Sequence, residues 1–234
     1  MSTPNMPDAS VPGGRYSAIL LDLDGTMVDT IGDFAQAMNR TFEELGQPTV
    51  AADLVATWVG RGGPHLINEA RLHAGLAADQ GDVMREGFFR HYGLINGQYS
   101  ATFPGVEAGL TRWQAAGVGL ACVTNKPEAH ARELLALKGL ARFFGDRVWG
   151  GDTLAERKPH ALPLLTACAA LGVPASKALM VGDSHTDAHA AQAAGMDAAL
   201  LSWGYNHGKP IEALPAVLHA DAFETLVDFW ASTP

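Results

Sequence analysis

Two aspartates, Asp22 and Asp24, stand one residue apart at the end of an apolar stretch, in the sequence ILLDLDGTMVDT of residues 19–30. Carboxylates this close repel each other unless a cation or hydrogen-bond donors compensate them. Such a pair can act as nucleophile and general acid or base, and its oxygens suit Mg²⁺. An Asp-Gly turn is the plainer alternative, and a calcium loop fails because Met27 and Asp33 stand where glycine and glutamate are required.

Three further polar segments follow predicted strands or precede predicted helices. They are residues 124–126 (Thr124, Asn125 and Lys126), 157–159 and 182–187. In an open parallel sheet, ligands bind beyond the carboxyl ends of the strands. We therefore expect Asp22 and Asp183 to converge on one cation, for which oxygen ligands suit Mg²⁺, with a lysine also relieving the repulsion between carboxylates.

Each of these segments also has a structural interpretation. Asp187 could close a capping box with Ser184 at a helix start, and this role is compatible with a place in the site. Lys158 could be a solvated surface lysine, and Thr124 with Asn125 could form a helix N-cap. The occurrence of all four segments in one chain, each at a strand end or helix start, favours the catalytic interpretation.

Apolar strands alternate with helices over most of the chain. This pattern predicts an α/β fold, with a Rossmann-like parallel sheet covered by helices on both faces. The predicted strands are residues 16–23, 118–124, 147–151, 178–183 and, as the last strand, 197–203. The predicted helices between them are residues 127–137, 160–171 and 185–194.

Residues 29–102 show helical spacing and no convincing strand. Thr30 and Asp33 form a capping-box pattern, and helical segments follow around 51–58, 64–75 and 79–95. The domain prediction is a helical cap over 29–102, inserted into an α/β core of 15–28 and 103–234. The hinges are expected at 25–29 and 101–105, and residues 1–14 are expected to form a disordered leader.

Composition narrows the class of protein. A formal charge of −9 argues against nucleic acid as a partner, and no run approaches the roughly 18 apolar residues of a membrane span. Residues 1–14 lack the basic and apolar regions of a signal peptide. Cys122 and Cys168 are expected to be buried thiols, so the predicted location is the cytoplasm.

The motifs DLDGTMVDT, VTNKP, ERKPHALPLL and VGDSHTDAHAAQAAG resemble, in order, the four motifs of the haloacid dehalogenase (HAD) superfamily. The helical block after the first motif resembles the inserted cap of the first type in that superfamily. The stretches GGDTL and WGYNHGKP are similar to those of phosphoglycolate phosphatases. The resemblance covers residues 16–230.

The resemblance implies a covalent route for phosphate transfer. Asp22 would be the nucleophile that forms an aspartyl-phosphate, and Asp24 would protonate the leaving alkoxide and then deprotonate water. Lys158 would bridge Asp22 and the phosphate. It is favoured for this role over Arg157 and Lys126.

The resemblance also implies the metal site. Mg²⁺ would be held by the Asp22 carboxylate, the Asp24 backbone carbonyl and Asp183, with Asp187 bracing the site from behind these ligands or through water. The pair His185 and His189 superficially suits zinc, but no third ligand is evident in the sequence.

The implied substrate is a small phosphorylated metabolite. Thr124, through its hydroxyl, and Asn125, through its backbone N–H, would hold the phosphoryl oxygens. The expected reaction is Mg²⁺-dependent hydrolysis of 2-phosphoglycolate, and Arg61 in a cap loop is predicted to meet the substrate's carboxylate or phosphate. The alternatives are N-acetylmuramic acid 6-phosphate or a broad set of sugar phosphates, a phosphomutase, or a regulatory protein. A monomer or homodimer is expected.

Overall fold

A six-stranded parallel sheet forms the centre of the computed structural model, which describes residues 14–232. The strands in chain order are β1 (Ala18–Leu21), β2 (Val28–Asp29), β3 (Ala101–Thr102), β4 (Gly119–Val123), β5 (Val148–Trp149), β6 (Ala178–Gly182), β7 (Asp197–Leu201) and β8 (Leu218–Ala220). The order in the large sheet is β5-β4-β1-β6-β7-β8, and β2 pairs with β3 in a separate antiparallel ribbon. Residues 1–13 of the predicted leader lie outside the described residues.

Ten α-helices accompany these strands in the described part of the chain. They are α1 (Ile31–Glu44), α2 (Ala52–Ala56), α3 (Gly63–His73), α4 (Gly81–Ile95), α5 (Val106–Ala115), α6 (Glu128–Leu137), α7 (Ala141–Phe144), α8 (Leu162–Leu171), α9 (His185–Ala194) and α10 (Phe223–Ser232). Within the described range, no helix has both the length and the apolar character that crossing a bilayer requires.

Strand β1 lies in the middle of the sheet and is buried on both faces. Ile19 and Leu21 pack in the cluster that includes apolar residues of α5, α6, α7 and α10, whereas Ala18 and Leu20 pack with α8 and α9. Successive side chains of a strand point to opposite faces, so a strand covered on both sides must be apolar throughout. The predicted α/β class with helices on both faces is confirmed.

Helices α1 to α4 form the predicted helical cap. Their apolar faces meet in a separate cluster, in which Phe34, Met38 and Phe42 of α1 are buried as their helical spacing predicts. The chain leaves the core through β2 and returns through β3, and these strands pair Val28 with Thr102. The two segments predicted as hinges therefore lie side by side.

Two local predictions are wrong. The Thr30 side chain makes no capping hydrogen bond; Asp33 instead accepts hydrogen bonds from the backbone N–H groups of Gly97 (2.8 Å) and Tyr99 (2.7 Å). Asp33 thus fastens the start of α1 to the segment that leaves the cap. In addition, the strand at residues 197–203 was predicted to be the last one, but β7 is followed by the three-residue strand β8. This strand is too short to give a clear periodic pattern.

Candidate active site

Asp22 and Asp24 follow β1 directly, at the carboxyl end of the central strand. A tight turn comes next: Gly25 has a φ of +80°, and its N–H donates to the carbonyl of Val28 (2.9 Å). A positive φ of this kind is accessible to glycine at little cost. The N–H of Leu23 donates to Asp22 Oδ1 (2.7 Å), which holds that carboxylate at the strand end.

Lys158 lies between two of the aspartates. Its Nζ is 3.0 Å from Asp22 Oδ1 and 2.7 Å from Asp187 Oδ1, and the lysine is 2% exposed. Burial alone would lower the pKa of Lys158, but the charges of Asp187 and Asp22 outweigh it and raise the pKa. Lys158 is therefore a fully charged, buried ammonium group and not a solvated lysine.

Asp183, at the end of β6, faces Asp22 across the site. Its Oδ1 accepts a hydrogen bond from the Thr26 hydroxyl (2.7 Å), and its Oδ2 accepts one from the backbone N–H of Tyr205 (2.6 Å). Burial, and then the charges of Asp187 and Asp22, raise the pKa of Asp183 well above its usual value. Burial likewise raises the pKa of Asp22 to about 6, against the opposing charge of Lys158.

The three aspartates 22, 183 and 187 are suited to a divalent cation. Each offers a carboxylate oxygen within 4.8 Å of the others, and all three side chains are buried. Three carboxylates against the one ammonium of Lys158 leave a formal charge of −2. An all-oxygen donor set with this charge fits Mg²⁺.

Asp187 already has protein partners on both oxygens. Oδ1 pairs with Lys158, and Oδ2 accepts hydrogen bonds from the N–H (3.1 Å) and hydroxyl (2.8 Å) of Ser184. The contact with the Ser184 N–H is the return half of the predicted capping box, so the helix-capping and site-bracing contacts occur in one side chain. Space here is tight, since a Cβ on Gly182 would lie 2.2 Å from Asp187 Cγ.

Asp24 has a lysine of its own. Lys126 Nζ lies 2.9 Å from Asp24 Oδ1 and 4.6 Å from the ring centroids of both Phe34 and Tyr92 of the cap. Lys126 is thus not a rival of Lys158 but the partner of the second carboxylate. Burial alone would lower its pKa, yet Asp24 and Tyr92 raise it. Its position after a strand end was visible in the sequence, whereas its aromatic neighbours were not.

Thr124 and Asn125 lie at the carboxyl end of β4, beside this pair, and both are buried. The Thr124 hydroxyl accepts a hydrogen bond from the N–H of Lys126 (3.2 Å). The Asn125 amide donates to the carbonyl of Lys158 (2.9 Å) and to that of Gly60 (3.1 Å) in the cap loop. Asn125 therefore ties two predicted site segments to the cap.

A cavity of ≈ 40 Å³ lies between the core and the cap. Asp22, Asp24, Thr124, Asn125 and Lys126 line it from the core. Its roof, the cap side, includes apolar side chains from three helices: Phe34, Leu66, Phe88, Phe89 and Tyr92. The roof residues were not identified from the sequence, because helical spacing alone does not say which apolar residues face a ligand.

Arg61 lines a second cleft together with Arg157, Lys158 and His185, and its Nε is 3.3 Å from His185 Nε2. The structure brings together the predicted site residues of the core but does not place Arg61 beside Asp22 or Asp24 in the cavity. His185 and His189 are in ring contact, and His185 lies next to the seam between core and cap.

The fold and the carboxylate site define a class, which comparison with known proteins establishes. A family model described as haloacid dehalogenase-like hydrolase matches residues 16–195. The chain belongs to the haloacid dehalogenase-like hydrolases, and the resemblance seen in its motifs is confirmed.

Within that family, relatives named phosphoglycolate phosphatase are similar over most of their length. "Phosphoglycolate phosphatase, plasmid" of Cupriavidus necator is 43% identical over 86% of this chain and 93% of that protein. A phosphoglycolate phosphatase of Psychrobacter arcticus is 36% identical over 90% and 94%. A crystal structure of a predicted phosphoglycolate phosphatase from Haemophilus somnus superposes with a TM-score of 0.84, at 31% identity over 92% and 97%. The expected enzyme class, a phosphoric monoester hydrolase, is confirmed.

Proposed function

We propose that this hydrolase converts 2-phosphoglycolate to glycolate and phosphate, with Mg²⁺ as cofactor. The observation that carries the proposal is the arrangement of Asp22 and Asp24 beside the cavity, each with its own buried lysine. The names of the similar proteins from Cupriavidus necator and Psychrobacter arcticus support the choice of substrate.

The chemistry follows from the positions of the two carboxylates. Asp22 attacks phosphorus, the bond to the ester oxygen breaks, and an aspartyl-phosphate forms. Asp24 gives its proton to the leaving alkoxide and then accepts a proton from the water that hydrolyses the intermediate. Lys158 favours the ionised, nucleophilic form of Asp22, because it stands 3.0 Å from the carboxylate.

The phosphoryl group needs donors as negative charge develops on its oxygens. The Thr124 hydroxyl and the Asn125 backbone N–H lie at the cavity wall and supply them in this proposal, together with Lys158. Because Asn125 also holds the carbonyls of Lys158 and Gly60, these groups keep a fixed relation to the cap loop.

Asp22, Asp183 and the backbone carbonyl of Asp24 would hold Mg²⁺. When bound, the ion supplies positive charge that orients the phosphate and offsets charge as the ester bond breaks. Asp187 braces this site without direct coordination, since its Oδ1 faces the ammonium of Lys158 and its Oδ2 already accepts three hydrogen bonds, two from Ser184 and one from the backbone N–H of Asp183. Each oxygen of Asp183, by contrast, accepts one hydrogen bond and keeps a free lone pair.

The proposed leaving group, glycolate, is short and carries a carboxylate, so the cavity must offer that carboxylate a cationic partner. Lys126 is the lysine at its wall, and we assign it to the substrate's carboxylate. An ammonium group has three donors, so Lys126 can bind this carboxylate while it keeps Asp24.

The test is phosphate release from a panel of monoesters, measured as kcat/KM with Mg²⁺ and with a chelator. We expect 2-phosphoglycolate to exceed ethyl phosphate, glucose 6-phosphate and N-acetylmuramic acid 6-phosphate at least about tenfold, a difference of 1.4 kcal/mol. Equal rates across the panel would contradict the assigned substrate, and release in the presence of chelator would contradict the cofactor. No release from any monoester would point to the mutase or regulatory alternatives.

The remaining expectations stay predictions. A cytoplasmic location agrees with Cys122 and Cys168, which are free thiols buried in the core. A net charge of −9 agrees with a small metabolite, and not a nucleic acid, as partner.

A further inference from the structure

The loop after β7 contains Tyr205, which contacts both the core site and the cap hinge. Its backbone N–H donates to Asp183 Oδ2 (2.6 Å), a carboxylate of the proposed metal site. Its phenol oxygen accepts hydrogen bonds from the N–H groups of Thr30 (2.9 Å) and Ile31 (3.1 Å) and donates to Asp29. One residue thus joins the metal site to the first turn of the cap.

The packing around this residue leaves little freedom. A Cβ on Gly204 would lie 2.1 Å from the Cβ of Asp183, so the backbone before Tyr205 is pressed against the aspartate. A Cβ on Gly25 would meet Asp183 Oδ2 at 2.5 Å and the ring of Tyr205 at 2.9 Å. The turn after β1, the metal-site carboxylate and the tyrosine are therefore interlocked, and none can shift alone.

The rest of the loop extends the same connection. The Asn206 side chain accepts a hydrogen bond from the N–H of His185 at the start of α9 (3.0 Å), and His207 Nδ1 lies 2.7 Å from the carbonyl of Thr57 in the cap. Tyr205 itself packs in the apolar cluster of the cap although it belongs to the core. The stretch GYNHG (residues 204–208) thus connects the core to the cap.

We propose that Tyr205 is a positioning residue that couples the cap hinge to the metal-binding carboxylate Asp183. When the hinge at 29–31 holds the phenol, the N–H of Tyr205 keeps Asp183 oriented; when the hinge moves, that orientation loosens. Metal affinity then depends on the position of the cap. This inference rests on the proposed Mg²⁺ site and adds a residue outside the four sequence motifs.

The first test is direct Mg²⁺ binding to the substrate-free protein by titration calorimetry. Tyr205→Phe removes the phenol's three hydrogen bonds and leaves the backbone N–H in place. We expect the Kd for Mg²⁺ to rise about tenfold. The matched control is Tyr16→Phe. Tyr16 is also buried and donates to a carboxylate, Asp197 (2.8 Å), but it lies before the amino end of β1, whereas the proposed metal site is at the carboxyl end. That control should lose thermal stability and keep the wild-type Kd.

A double-mutant cycle identifies the route. Asp29→Ala should also weaken Mg²⁺ binding, and its effect should largely vanish in the Tyr205→Phe background, because both changes break the same connection. If Tyr205→Phe lowers the melting temperature as Tyr16→Phe does but binds Mg²⁺ within twofold of wild type, the residue is only structural and the proposal is wrong.

The outcomes separate this inference from the proposed function. A wild-type protein that binds no Mg²⁺ would overturn both the metal site and the coupling. A tenfold loss of Mg²⁺ affinity in Tyr205→Phe, together with a flat substrate panel, would support the coupling and overturn only the choice of 2-phosphoglycolate.

Discussion

The core side of the site, its floor, carries four aspartates and two lysines, of which Asp22, Asp24 and Lys126 line the cavity. The roof consists of apolar and aromatic side chains from three cap helices. On the floor, Lys126 pairs with Asp24, and Lys158 pairs with Asp22 and Asp187, so removing either lysine leaves a buried carboxylate uncompensated. On the roof, a substitution changes shape and volume but no charge. From this difference we expect the floor to determine the reaction and the roof to determine the substrate selectivity.

The largest expected effect comes from the floor. Asp22→Asn keeps the shape of the side chain but removes the proposed nucleophile, so kcat should fall by at least about a thousandfold while the circular dichroism spectrum stays unchanged. Retained activity above a few per cent would exclude the covalent route. Trapping of the phosphoryl group on wild-type protein, and its absence from the variant, gives an independent readout.

Lys158→Met tests whether the floor is an ion network. It leaves Asp22 and Asp187 without their shared cation, and breaking a buried pair in this way costs roughly 3–5 kcal/mol. The free energy of unfolding should fall by about that amount in denaturant titrations, and added Mg²⁺ should restore part of it. Lys177→Met removes an exposed lysine and should change stability by less than about 0.5 kcal/mol. Equal stability of the two variants would contradict the network.

Lys126→Met tests whether Lys126, which lies between the floor and the roof, serves both Asp24 and the substrate's carboxylate. We expect a loss of kcat on every substrate because Asp24 loses its partner, and a further loss of about tenfold that is specific to substrates with a carboxylate. The measurement is the ratio of kcat/KM for 2-phosphoglycolate to that for ethyl phosphate. An unchanged ratio would remove Lys126 from substrate recognition and leave it only beside Asp24.

Phe89→Ala changes the roof alone. Phe89 lines the cavity and stacks on His130, so its removal should enlarge the space under the cap. We expect kcat/KM for glucose 6-phosphate to rise several-fold relative to 2-phosphoglycolate, with the Mg²⁺ dependence unchanged. A general loss on all substrates, without a change in preference, would argue against the division between floor and roof.

The smallest effect is expected at Arg61. Because its guanidinium contacts His185 and Arg61 is not among the residues that line the cavity of Asp22 and Asp24, Arg61→Ala should change KM for 2-phosphoglycolate by less than about threefold. A tenfold or larger increase in KM would instead support the prediction made from the cap-loop sequence, and would mean that Arg61 turns into the cavity when substrate binds.

Much of the floor was predictable from the sequence, because most of its residues follow apolar strands and a parallel sheet brings strand ends together. Asp22 and Asp183 meet for this reason, and Lys158 reaches Asp22 from the loop before α8. Contacts that depend on side chains of distant segments were not predictable. Asp33 fits a capping box by spacing, yet it binds the backbone of residues 97 and 99. Tyr205 shows no local pattern that places its phenol on the hinge.

The cap is inserted immediately after the central strand of the sheet, and this has a consequence for the order in which the protein can fold. Strand β1 lies between β4 and β6, with Ala18 opposite Gly119 and Ala178. On the ribosome β1 appears first, but its second neighbour is complete only when residue 182 has been synthesised. Helices α1 to α4 bury their apolar faces largely against one another, and all of them precede β4.

The nascent chain therefore holds a complete cap while the strand that ends in Asp22 and Asp24 still has both edges open. Unpaired strand edges are prone to pairing with other chains, and contacts between distant segments form slowly. The position of the insertion thus means that Asp22 and Asp24 acquire their surroundings late, after most of the polypeptide has been made.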